Sequence, residues 1–189
     1  MYYRLDADLN GMRQYWEALN NQHALTYMGR LLTVEDDVLE LPFKFGVNFS
    51  YGVDGDEPKQ TLYDFMPNRR VMHTRLVEAL RFSGVDNLQT FPAEVLDTAS
   101  GVVSREFQVV NVIGLVSCAD LEASRSHPLG TVYFFEQIVL DPSRTGGALM
   151  FRLAESPVEV VVHEKVADAI RAGNFNGVVL EPLMENAES

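Results

Sequence analysis

Few residues in this chain have the chemistry to act. His73 and His163 each follow an apolar pair, in "VMHTRLVEAL" and "VVHEKVADAI". Imidazole is the commonest transition-metal ligand and a general base near neutral pH. Carboxylates gather in two short stretches: Asp36, Asp37 and Glu40 stand close together in "TVEDDVLE", and Asp54, Asp56 and Glu57 in "VDGDEP". Paired carboxylates can divide acid and base work when a cleft sets their ionisation apart. Cys118, in "LVSCADL", is the single thiol.

Each group also has a plainer reading. A histidine at a helix start faces the positive end of the helix dipole, which disfavours imidazolium. Neither histidine has a second His, a Cys or a patterned carboxylate at metal-ligand spacing, and "HEKVAD" lacks the second histidine of HExxH. Capping or packing is therefore the favoured role for both. "VDGDEP" opens like a calcium loop, but the twelfth position from Asp54 is Phe65, where a bidentate glutamate is required. It reads as a solvated acidic turn. "TVEDDVLE" reads as a helix first turn capped by Thr33. Cys118 reads as a buried strand end without a base beside it. There is no GxSxG elbow, phosphate-binding glycine loop or Rossmann fingerprint, and "SRTGGAL" lacks the lysine and spacing of a P-loop. The expectation is no catalytic residue, no metal and no cofactor.

The elements that must position these groups follow from periodicity. "YYRL" is extended in character, and Asn10 can cap a helix that places Tyr15, Trp16 and Leu19 on one side. "LELPFKFGVNFSYG" alternates Phe43, Phe45, Val47 and Phe49 with Lys44, Gly46, Asn48 and Ser50, the period of a half-buried strand. Residues 51–70 mix Gly, Pro and Asp, as a long loop with one short strand would. "REFQVVNVIGLVSCA" reads as a mid-sheet strand covered on both faces or bent at Gly114. "CADLEASRS" reads as a short helix or turn before the loop "HPLG", and "TVYFFEQIVLD" with "ALMFRL" as an antiparallel hairpin across "PSRTGG".

One stretch is written twice. "VMHTRLVEALRFSGVDNLQTFP" and "VVHEKVADAIRAGNFNGVVLEP" align without a gap, with five identities in twenty-two positions. Each reads as strand, helix, strand. Leu76, Ala79 and Leu80, and again Val166, Ala169 and Ile170, form the buried helix face. Arg75, Glu78 and Arg81, and then Lys165, Asp168 and Arg171, form a solvated charged face. Two units obeying the same docking rules explain the likeness slightly better than duplication does. The fold class expected is α+β: a single mixed, largely antiparallel sheet with two strand-helix-strand units and an N-terminal helix. One domain is expected over 1–189, with an N-terminal strand, helix and hairpin part over 1–70, a core over 71–183 and a frayed tail over 184–189.

Composition narrows the function. The 189 residues are 47% apolar, with 27 acidic residues against 15 basic and a net charge of −12. That charge repels nucleic-acid phosphates and anionic membranes and favours a basic partner. No stretch reaches the roughly twenty apolar residues of a membrane span, and no signal segment is evident, so a cytoplasmic protein is expected.

The segments "VMHTRLVEALRFSGVDNLQTFPAEV", "FQVVNVIGLVSCADLEAS", "MFRL" and "VVVHEKVADAIRAGNFNGVVLEPL" together resemble the eleventh immunity-protein family of bacterial polymorphic toxin systems, over residues 70 to 183. The matching positions are Leu76, Leu80, Phe91, Pro92, Asn111, Asp120, Ser124, Arg152, Gly177 and Pro182. The resemblance implies a non-catalytic antidote that binds and neutralises a cognate protein toxin. Such an inhibitor needs shape and charge complementarity, and an acidic surface speeds capture of a basic partner. On that reading Asp36, Asp37, Glu40, Asp54, Asp56 and Glu57 form the contact surface, since exposed loops bind more readily than packed strands. The alternatives are a small hydrolase using Asp36, Asp37, Asp54 or a histidine, and a binding module unrelated to toxins.

Overall fold

The computed structural model describes residues 1–7, 14–20, 29–32, 40–49, 62–66 and 70–186. Its strands fall into two curled halves with the helices between them. The N-terminal half is a six-stranded sheet. It contains β2 (Gln14–Ala18), β3 (Phe43–Phe49), β4 (Phe65–Met66), β5 (Val71–His73), β6 (Leu88–Asp97) and β7 (Val103–Val112), in the order β2-β3-β6-β7-β5-β4. β3 and β6 are parallel neighbours, and the other pairs are antiparallel. The sheet curls until its outer strands share one core, where Trp16 of β2 packs with Met66 of β4 around Phe43, Phe45, Val47 and Phe107. The Gln14 carboxamide oxygen accepts from the Tyr63 backbone N–H at 3.3 Å across that gap.

In the C-terminal half the pairings run full circle. β14 (Val178–Pro182), β1 (Tyr2–Ala7), β13 (Ser156–His163), β12 (Met150–Leu153) and β8 (Leu115–Val116) form one sheet in that order. The chain leaving β8 reaches Ala119, which bridges Leu140 of β11 (Val139–Leu140). β11 then pairs in parallel with β15 (Met184–Glu185), which continues β14 past Leu183 and closes a barrel. Tyr2, Cys118, Ile138, Leu140, Phe151 and Leu153 fill it. A two-stranded ribbon, β9 (Arg125–Leu129) with β10 (Val132–Gln137), stands off between Ala119 and β11.

Between the halves lie α1 (Thr74–Phe82) and α2 (Glu164–Gly173). Leu76, Val77 and Leu80 of α1 and Val166, Ala167 and Ile170 of α2 form the third core with Tyr3, Leu5, Val110, Val112 and Val162. Both helices bury the predicted i, i+4 pairs, Leu76 with Leu80 and Val166 with Ile170, but the third buried position is Val77 or Ala167, while Ala79 and Ala169, expected on that face, are half-buried. His73 and His163 are their N-caps, each Nδ1 accepting from the backbone N–H two residues on at 3.2 Å. Asn174, left-handed at φ 46°, ends α2.

Four expectations are corrected. The predicted N-terminal helix is the strand β2: Gln14, Trp16 and Ala18 point inward and Tyr15 and Glu17 outward. "QYWEA" fits a period of two as well as 3.6, and pairing with the edge of β3 decides between them. The single sheet is two curled sheets, because 189 residues rich in short strands bury more by closing on themselves than by extending flat. The strand-helix-strand units are split: β7 lies between β5 and β6, and β1 lies between β13 and β14. The hairpin predicted across "PSRTGG" does not form, since β10 pairs with β9, β11 with β15, and β12 with β13 and β8. β3 and β7 match their predicted patterns. β7 is covered on both faces, with Val109 toward the core of the N-terminal sheet and Val110 toward the helices. Gly114, at φ 100°, is where the chain leaves β7 for the other half.

Candidate functional site

Of the six predicted contact carboxylates, Asp36, Asp37, Asp54, Asp56 and Glu57 lie outside the described residues, as does Thr33. Glu40 is exposed, and its backbone carbonyl accepts from Asn20 at 3.3 Å. The doubled histidines, read as caps, are caps. His73 also meets Phe107 edge-on with centroids 5.0 Å apart, and His163 meets Tyr2 in the same way at 5.2 Å. Among the described residues no group of three His, Cys, Asp or Glu side chains is placed to hold a metal.

The positions that carry the family resemblance are mostly scaffold. Leu76 and Leu80 are fully buried in α1. The Asn111 amide nitrogen donates to the Arg30 carbonyl at 2.6 Å, tying β7 to the segment before β3. Gly177 has φ 72°, and a Cβ there would meet the Tyr63 ring at 2.6 Å, so the position requires glycine. Asp120 and Ser124 build the foot of the β9–β10 ribbon. Asp120 accepts from the backbone N–H groups of Glu122 and Ala123 at 2.9 Å each and from the Asn186 side chain. These bonds, led by Ala123, hold its carboxyl below the usual carboxylate range. The Ser124 hydroxyl accepts from the Val139 N–H at 2.9 Å.

Around that foot lies an open acidic cleft of about 510 Å³ lined by Ser117, Asp120, Glu122, Asp141, Arg144 and Glu155. Four carboxylates face one guanidinium. Arg144 donates to the Ser117 hydroxyl at 3.1 Å, and Ser117 donates to Glu155 at 2.6 Å. The second Glu155 oxygen is buried without a partner. Asp141 accepts from the Ser143 N–H at 3.0 Å and hydroxyl at 2.6 Å, capping a single 3-10 turn. Burial pushes the Cys118 thiol up to about 12, Glu155 and Asp141 adding to the effect and Arg144 opposing it. A thiol held protonated is no nucleophile. Ser117 donates to a carboxylate and has no histidine beside it, so the cleft is not an activated-serine site. Its chemistry is that of an acceptor-rich hollow suited to a cationic side chain.

The ribbon above the cleft is apolar at its end. Leu129 is 66% exposed and Phe134 56%, with the Phe134 ring stacked on His127 at 5.6 Å. His127 lies 3.4 Å from Glu136. The Tyr133 N–H donates to the Glu155 carbonyl at 2.7 Å, so one residue both anchors the ribbon and lines the cleft. The loop expected at "HPLG" is instead the end of β9 (Arg125–Leu129) and its turn. Pro128 is tolerated because β9 is an outer strand of a two-stranded ribbon and has no second ladder to serve.

Two further groups escaped the sequence reading. Asp64, 4% exposed, accepts from Arg75 Nε at 2.9 Å and Nη2 at 2.5 Å and from the Asn176 N–H at 2.6 Å. It joins the start of α1 to the end of α2. Arg75 lies over the Phe175 ring, 4.7 Å from its centroid, and its pKa is raised chiefly by the Asp64 hydrogen bond. The charged face of α1 is thus an anchor at Arg75, where a solvated residue was expected. Arg152 is 3% exposed, its Nη1 donates to the Pro157 carbonyl at 2.8 Å, and its Nε is unpartnered. Burial, and secondarily Arg70, lowers its pKa to about 10. Alternation along "MFRL" turns Arg152 away from the barrel interior that Phe151 and Leu153 fill.

No helix among the described residues is long and apolar enough to cross a membrane. No family model matches the chain, and no curated protein matches it.

Proposed function

We propose that this chain is a stoichiometric binder that neutralises a basic protein toxin inside the cell that makes it. The observation that carries the reading is the pairing of an apolar ribbon end, Leu129 and Phe134, with a four-carboxylate cleft at its foot. Exposed aromatic anchors beside charged rims are how tight protein interfaces are built. The net charge of −12 adds long-range attraction for a cationic partner. The family-like motifs point the same way, and their scaffold roles suit an inhibitor whose specificity resides in surfaces attached to a common frame.

The contact surface proposed here supplements the acidic stretches around Asp36 and Asp54. In the chain, residues 20–42 are inserted between the paired strands β2 and β3, and the ribbon between Ala119 and its bridge partner Leu140 of β11.

Co-expression of the chain with the toxin encoded beside it tests the proposal. Wild type is expected to rescue growth. Phe134→Ser and the double change Leu129→Ser/Phe134→Ser are expected to lose rescue while leaving the thermal transition unchanged, because both side chains are exposed. Loss of an aromatic anchor of about 2 kcal/mol would weaken binding about thirtyfold. Full rescue by the double variant would reject the ribbon as the contact surface, and failure of the wild type would reject the toxin-binding reading.

A further inference from the structure

We infer that the chain is an internal two-fold dimer: two copies of one six-strand, one-helix unit that have exchanged their first strands. The doubled stretch around His73 and His163 is the visible part of a repeat that covers nearly every described strand.

Pairing registers carry the inference. Val71, Met72 and His73 of β5 face Val109, Gln108 and Phe107 of β7, and Val161, Val162 and His163 of β13 face Arg4, Tyr3 and Tyr2 of β1. On the other side of the same central strands, Pro92 faces Gln108 and Leu88 faces Val112, while Pro182 faces Tyr3 and Val178 faces Ala7. The equivalence continues outward. Phe65 and Met66 face Met72 and Val71, as Met150 and Phe151 face Val162 and Val161. The parallel pairs Lys44 with Glu94 and Phe45 with Val95 recur as Val139 with Met184 and Leu140 with Glu185. Ala18 opposite Phe45 recurs as Ala119 opposite Leu140.

Single hydrogen bonds recur with the strands. The Leu19 N–H donates to the Lys44 carbonyl and the Asp120 N–H to the Val139 carbonyl, both at 2.8 Å. The His73 N–H donates to the Asp64 carbonyl and the His163 N–H to the Leu149 carbonyl, again both at 2.8 Å. A slip of one residue in any strand would reverse its faces. Agreement across six strands, a helix and its histidine cap is beyond what two units merely obeying the same docking rules require, so duplication replaces the convergent reading.

The exchange follows from chain order. β1 precedes β2 in sequence but sits in the C-terminal barrel between β13 and β14, while β7 opens the second repeat but sits in the N-terminal sheet between β5 and β6. Each is a central strand of the other half. Neither half is a domain by itself: removing β1 would strip both neighbours in the C-terminal barrel, and removing β7 would do the same to the N-terminal sheet. The helices pack on one another across the approximate two-fold axis. The repeats have diverged where Asp64 on one side corresponds to Leu149 on the other, so the buried Asp64–Arg75 lock exists once.

The intact chain, carrying a specific protease site inserted in the exposed β6–β7 turn between Ser100 and Gly101, tests the inference. After cleavage the two fragments are expected to stay together as a one-to-one complex through native size exclusion and native mass spectrometry, parting only in denaturant. Hydrogen exchange on the uncut wild type supplies the second readout. Amides of residues 2–7 and 107–112 are expected to exchange at rates within tenfold of one another, both through global unfolding. Fragments that part under native conditions, or residues 2–7 exchanging a hundredfold faster than 107–112, would overturn it.

Discussion

Arg152→Met is expected to stabilise the protein. In the fold Arg152 is 3% exposed, one hydrogen bond reaches the Pro157 carbonyl, and Nε has no acceptor. Burial lowers its pKa to about 10. A base whose folded pKa is lowered binds its proton more weakly in the fold than in the unfolded chain. The cost of keeping it charged is therefore present in full below about pH 10 and shrinks only as pH rises from there toward the ordinary arginine value. A lowering of this size corresponds to about 3 kcal/mol at neutral pH. Methionine keeps the stem's volume and removes the charge, but it leaves the Pro157 carbonyl unpaired at a cost of about 1–2 kcal/mol. The net expectation is a gain of about 1–2 kcal/mol, or roughly 2–8 °C in Tm for a chain of this size. Urea titration at pH 7, with the m-value checked for constancy, measures it directly. A loss of more than 1 kcal/mol would refute the premise that this guanidinium is a buried charge without adequate compensation.

Other perturbations bear on the frame. Asp64→Ala removes the carboxylate from Arg75, which keeps only a 3.5 Å bond to the Gly173 carbonyl, leaves the Asn176 N–H unpaired, and should cost about 2–4 kcal/mol in urea unfolding, toward the low side because Arg75 is half exposed. His73→Ala and His163→Ala should each cost about 0.5–2 kcal/mol, while Asn at either position keeps most of the cap; a cost seen at only one of the two would contradict their equivalence. Glu159 has its carboxyl raised by burial, with Arg4 opposing and Asp6 and Glu181 adding to the rise. The fold therefore binds that proton more tightly than the unfolded chain does, and stability falls as pH rises through the window just above the ordinary glutamate value. Glu159→Gln should flatten that part of the stability–pH curve and leave neutral-pH stability equal or higher, as thermal unfolding between pH 4 and 7 would report.

Local features were legible in the sequence because they depend on local physics. The alternation of Phe43, Phe45 and Val47 identified β3, the i, i+4 stripes identified both helices, and helix-start placement identified the histidines as caps. What could not be read depends on distant partners. "QYWEA" carries no helix-breaking residue, and only the presence of β3 at its side makes it a strand. Nothing in "YYRL" says that it pairs with strands more than 150 residues away. Arg75 looked solvated because its partner, Asp64, lies in a Gly- and Pro-rich stretch that gave no regular period. The acidic cleft was likewise hidden: Asp120, Asp141 and Glu155 are far apart in sequence and are brought together by the closing of the C-terminal barrel.

The central claim is binding, and calorimetric titration of the purified chain with the protein encoded by the neighbouring gene tests that most directly. The account predicts one-to-one saturation, an association that slows as salt rises because the attraction is between acidic and basic surfaces, and an affinity lowered about thirtyfold by Phe134→Ser. No saturable heat with the wild-type chain, together with no growth rescue, would contradict it.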